Sequence, residues 1–176
     1  MILEFLEAIL KAALLVGVFS FGLIYWGLHV GQIKRPERVA DFHKELKRMS
    51  KERKKDKHKF KHNPLYKKWF VFGGGFYGAV ALMTYVLIEW YEFVDFLGSL
   101  SGFGDLLSRL NINLIINIFI EGLTNFIVAV TWPAYWMSEI ETNRIWLWGI
   151  AAYGGYYAGS ALAHYLTDHE SNAAEK

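Results

Sequence analysis

Glu121 is the one carboxylate inside an otherwise apolar tract from Ile112 to Met137. At 1.5 Å per helical residue it lies about 15 Å beyond Asn111. For a helix that crosses a membrane, that depth is near the middle of a hydrocarbon core of about 30 Å. Asn113, Asn117, Glu121 and Asn125 are spaced by four, with Thr124 beside them, so on a helix they form one polar stripe. Ionisable groups at such depth serve proton relays, cation sites or substrate paths. A protonated carboxyl among amides also works as glue between helices, at about 0.6 to 2 kcal/mol per hydrogen bond. Both readings follow from the residues.

Glu89, Glu92 and Asp95 recur at three-residue steps near the end of another apolar tract. Carboxylates there oppose the negative end of a helix dipole. An acidic mouth of this kind concentrates cations, and Glu89 and Glu92 join Glu121 and its asparagines as candidates for an ion or proton path. His58 and His62 have the i,i+4 spacing of metal ligands, but Lys57, Lys59 and Lys61 repel a divalent ion. His164, Asp168 and His169 read as an interfacial helix end rather than a metal site. The run Gly73-Gly74-Gly75 lacks the Lys and Ser or Thr that complete a phosphate loop. No nucleophile, dinucleotide or zinc-protease motif appears, and cysteine is absent, so the expectation is a protein without enzymatic activity, cofactor or metal.

The elements that must carry these residues are transmembrane helices. Of the chain's residues, 53% are hydrophobic and 17% aromatic, which is rich for a soluble domain of 176 residues. Four tracts approach the roughly 20 apolar residues a span requires, at about 12–30, 69–88, 112–137 and 145–167. Long uninterrupted tracts fit helices rather than alternating barrel strands, so the expected class is all-α, a polytopic membrane protein of four transmembrane helices in one membrane domain. The acidic N-terminal segment, with Glu4 and Glu7, lacks the basic region of a secretory signal, and the first tract is expected to be retained.

Direction follows from charge. Of the 19 Lys and Arg residues, 15 fall between Lys34 and Lys68. Short loops this basic remain cytoplasmic, so residues 31–68 are expected inside, with both termini outside, in a plasma membrane, or a bacterial inner membrane if the source is prokaryotic. The first helix then runs inward and the fourth outward. One connection fits poorly: Ser138 to Arg144 is expected on the cytoplasmic side yet holds Glu139 and Glu141 against one arginine.

Within the basic loop, Val39, Phe42, Leu46 and Met49 recur at helical spacing after Pro36, predicting an amphipathic cytoplasmic helix from Pro36 to about Asp56. The loop suits anionic lipid headgroups; aromatic platforms for nucleic acid are scarce there. Residues 93–110 are expected as a short interfacial hairpin or re-entrant piece. Ala151, Gly155, Gly159 and Ala163, with the pairs Gly74 and Gly78 and Gly27 and Gly31, supply faces where backbones approach closely. The resulting expectation is a membrane subunit that forms a homo-oligomer or joins a complex through its Gly-rich faces and offers its basic loop to lipid or a protein partner. The alternative is a proton- or cation-conducting component built around Glu121.

Overall fold

A computed structural model describes residues 2–31, 33, 44–45, 48–49, 51, 64–99, 111–140, 142 and 144–174. The expected amphipathic helix in the basic loop, His58 and His62, and residues 100–110 of the expected hairpin lie outside the described residues, apart from isolated positions in the loop. Among the described residues all regular structure is helical. The order is α1 (Ile2–Ala8), a π turn (Ile9–Ala13), α2 (Leu14–His29), α3 (Pro64–Val71), α4 (Gly75–Gly98), α5 (Ile112–Val130), α6 (Trp132–Glu139) and α7 (Ile145–Ala174). α1, the π turn and α2 form one N-terminal rod.

Two helices are long and apolar enough to cross a membrane, Leu3–His29 and Ile112–Val130; the bent pair Pro64–Val71 and Gly75–Gly98 is a third candidate. The second expected span is therefore not one straight helix. α3 and α4 meet at 119°, and the cause is local. Gly73 and Gly74 have φ of 103° and 65°, a region costly for any residue with a Cβ. The Gly73 N–H donates to the Phe70 carbonyl and that of Gly74 to the Trp69 carbonyl, both at 3.1 Å. Those two bonds form a Schellman cap, which closes α3 and frees the chain to turn. The third expected span is likewise divided. α5 stops at Val130, and α6 restarts at Trp132 and Pro133, where proline has no N–H to continue the ladder. Asn111 caps the start of α5, its side-chain oxygen accepting from the Leu114 N–H at 3.0 Å.

The chain forms two compact units, residues 1–80 with 140–176, and residues 81–139. In the first, the rod and α7 lie side by side and run in the same direction. Arg144 faces Glu4 at 3.7 Å, and the Thr142 hydroxyl also donates to Glu4. At the other end the Tyr25 hydroxyl donates to Glu170 at 2.7 Å. Between these ends the backbones nearly touch: a Cβ at Gly155 would collide with the Ala13 carbonyl, and one at Gly159 with the Gly17 carbonyl. This parallel pair differs from the expected topology, in which the first helix runs inward and the last outward. The core of the unit is completed by α3, whose Tyr66 and Trp69 are fully buried. The Tyr66 hydroxyl donates to the Leu23 carbonyl at 2.7 Å, and Phe76 sets its ring edge-on to Tyr153 and Tyr156 of α7.

In the second unit, the later turns of α4 pair with α5 and α6. The Trp136 indole N–H donates to the Thr84 hydroxyl at 2.9 Å, and Thr84 is fully buried. Most of α5 is uncovered: Ile112, Ile115, Ile118, Phe119, Ile120, Leu123 and Ile127 are all at least half exposed, and only Asn125 and Ala129 are buried. A helix this apolar with so little covered suits contact with lipid or other helices, not water.

Candidate functional site

The polar groups singled out from the sequence separate into two sets. Asn125, Glu89 and Glu92 come together in the second unit. α4 presents its two carboxylates three residues apart, on adjacent turns of one face, and α5 brings Asn125 against them. The Asn125 amide donates to Glu92 Oε2 at 2.6 Å and to Glu89 Oε1 at 3.4 Å. An amide group carries two hydrogens, so one for each carboxylate balances the arrangement. Asn125 is buried, Glu89 is half-buried and Glu92 is exposed. The Tyr85 hydroxyl, one turn before Glu89, hydrogen-bonds to the Glu89 carboxylate as well. Among the described residues neither carboxylate has an ion-pair partner. The cluster sets two carboxylates on the neutral donors Asn125 and Tyr85, and paired carboxylates of this kind attract cations.

Asn113, Asn117 and Glu121 form the other set. They keep the expected stripe, but all three are exposed, and among the described residues none has a hydrogen bond or ion pair from its side chain. Thr124, also exposed, returns its hydroxyl to the Ile120 carbonyl of its own helix at 3.0 Å. Asn125 thus belongs to both sets: it ends the stripe and closes the carboxylate cluster.

Of the small residues, Gly155 and Gly159 serve close approach within the chain, against Ala13 and Gly17 of the rod, and Ala163 is fully buried on the same face. Ala151 is half-buried. Gly74 acts differently from the expected packing pair, as part of the cap between α3 and α4. Gly78 lies where a Cβ would press on the Trp69 carbonyl at 3.0 Å. Gly27 makes room for Ile33 and Tyr66.

One feature of α7 goes beyond the sequence reading. Tyr156, Ser160 and His164 are buried at successive four-residue steps, and His164 Nδ1 lies 3.0 Å from Asp168. Ser20 of the rod is fully buried, with no hydrogen-bond partner for its hydroxyl among the described residues. The four-residue spacing was readable; the glycines beside it draw attention first. The Ser160 and Thr167 hydroxyls donate to the carbonyls of Tyr156 and Ala163, one turn back on their own helix. Among the described residues no three His, Asp or Glu side chains are grouped to hold a metal.

No family model matches the chain, and neither a curated protein nor a solved structure is similar to it. The functional reading therefore rests on the residues and their geometry.

Proposed function

We propose that the protein is a non-enzymatic integral membrane subunit of the plasma membrane, with residues 31–68 on the cytoplasmic side, that binds a further transmembrane helix through α5. One observation carries this reading. α5 exposes apolar residues along its length, and on the same helix it exposes Asn113, Asn117 and Glu121. Lipid satisfies the apolar residues but not the amides or the carboxyl. A neighbouring helix that offers hydrogen bonds satisfies both. The intramolecular role of Gly155 and Gly159 moves the association face away from those glycines and onto this stripe.

The basic loop adds a second contact. Anionic headgroups attract Lys and Arg by about 1 kcal/mol each near the surface, and an amphipathic helix from Pro36 to Asp56 would bring its charges to that level. Membrane lipid is thus one partner, and a second copy or another membrane subunit is the other. Native mass spectrometry from mild detergent tests the association. Wild type is expected above monomer mass, and Asn117→Leu combined with Glu121→Leu is expected to return it to monomer while membrane insertion persists. An unchanged mass in that variant removes the stripe as the association face.

The Glu89, Glu92 and Asn125 cluster favours a second reading, a proton- or cation-conducting component in which Glu121 takes part. Glu121→Gln retains shape and hydrogen bonding but not ionisation, and would abolish flux in reconstituted vesicles. Vesicles of wild type that show no flux under a pH or cation gradient would exclude this reading.

A further inference from the structure

The rod and α7 are matched end to end. Glu4 meets Thr142 and Arg144, Ala13 meets Gly155, Gly17 meets Gly159, and Tyr25 meets Glu170. The sequence offset between partners runs only from 138 to 145 over the whole length, so the two helices are parallel and level. Leu3–His29 is apolar enough to cross a membrane, and at 27 residues it measures about 40 Å. A helix that lies level with it over that length crosses with it. α7 falls short of the rod in apolarity because its contact face is made of glycine and alanine and it carries Tyr153, Tyr156 and Tyr157. Those are the residues that close helix approach and ring contact require.

We infer that the protein crosses the membrane an odd number of times, three, and that the C-terminal end of α7 lies on the same face as the basic loop, opposite Thr142 and Arg144. Two parallel spans leave the chain between them to make an odd number of crossings. Two candidates compete for that crossing, the bent pair α3–α4 and α5. Tyr66 of α3 bonds to Leu23, near the loop end of the rod. Phe76, just past the bend, lies against Tyr153 and Tyr156, which by the offset are level with the rod near its π turn. α3 therefore runs from the loop end toward the opposite face, and the chain bends by 119° after it. A bend this sharp suits α3 and α4 to a re-entrant pair with no net crossing, while Ile112–Val130 is straight and apolar enough to cross alone. The return crossing falls to Ile112–Val130.

Charge supports this assignment independently of packing. The connection that ends at Arg144 carries one arginine against the fifteen Lys and Arg between Lys34 and Lys68, so the face away from the basic loop suits the bias of Lys and Arg in membrane proteins. The inference rests on the membrane reading above but not on which face is cytoplasmic.

The chain has no cysteine, so single cysteines report without background. Ser50→Cys, Ser99→Cys, Asn143→Cys and Ser171→Cys are each labelled in sealed vesicles with a membrane-impermeant maleimide. Ser50, Ser99 and Ser171 are expected to label from one face and Asn143 from the other. Ser50 grouped with Asn143, and Ser171 opposite, would restore an even number of crossings and overturn the inference. Asn143 and Ser171 on one face would show that α7 does not cross, and would overturn it as well. Ser99 grouped with Asn143, while Ser50 stays with Ser171, would give the crossing to α4 and end the re-entrant assignment. Extraction of the wild-type chain by alkaline carbonate is a separate outcome, which removes the membrane reading itself.

Discussion

The rod against α7 and the isolated stretch of α5 are both apolar helices, yet they solve opposite problems. Along the rod the glycines and alanines of α7 let two backbones meet, and buried tyrosines from α3 and α7 fill the space beside them. α5 has one glycine, Gly122, with nothing near it, and exposed isoleucines along most of its length. Of the most apolar window of the rod, 28% is buried inside the protein, against 11% for α5. The difference teaches that apolarity alone does not bring helices together in a membrane, since lipid is as good a neighbour as leucine. Small residues and hydrogen bonds do. The rod and α7 have found their small-residue partners within the chain, and α5 still presents Asn113, Asn117 and Glu121 outward.

If that contrast is correct, substitutions in the two regions should differ in size and in kind. The largest effect is expected from Gly155→Leu, because its Cβ would collide with the Ala13 backbone and only a shift of a whole helix relieves it. Overpacking of this sort costs about 1–3 kcal/mol or more, and thermal unfolding in detergent should move sharply to lower temperature. A neutral Gly155→Leu would show that the rod and α7 are not held in contact. Asn125→Ala should come next. It leaves Glu89 and Glu92 facing each other without their shared donor, at a cost of about 1–3 kcal/mol, and the loss should shrink in a Glu92→Gln background, where one charge is gone. An equal loss in both backgrounds would mean the amide does not hold the carboxylates. The smallest effect is expected from Tyr66→Phe. The ring remains, and one hydrogen bond to a carbonyl already within a helix is lost, about 0.5–1.5 kcal/mol by thermal unfolding. A larger loss would give Tyr66 a role beyond this bond in holding α3 to the rod.

Much was legible in the residues themselves. The apolar tracts, the basic island and the four-residue spacing of Asn113, Asn117, Glu121 and Asn125 are properties of the chain read in order, because hydropathy and helical periodicity depend on neighbours in sequence. Those same signals could not say whether Trp69–Ile88 was straight. Gly73, Gly74 and Gly75 were visible, but a glycine run permits a turn without requiring one, and the two bonds of the cap decide it. Nor could spacing tell Gly155 and Gly159, filled by the rod, from an open face offered to another chain.

Sequence by itself determined that the described chain is helical and apolar enough for a membrane, and that Asn113, Asn117, Glu121 and Asn125 share one side of α5. Tertiary structure alone decided which of those groups meet, Asn125 with Glu89 and Glu92, and that Glu121 does not join them. It alone decided that the first and last helices are parallel. The reason is that direction and partnership between distant helices are set by the fit of one surface against another, Ala13 on Gly155 and Tyr25 on Glu170. No window along the chain contains both halves of such a contact.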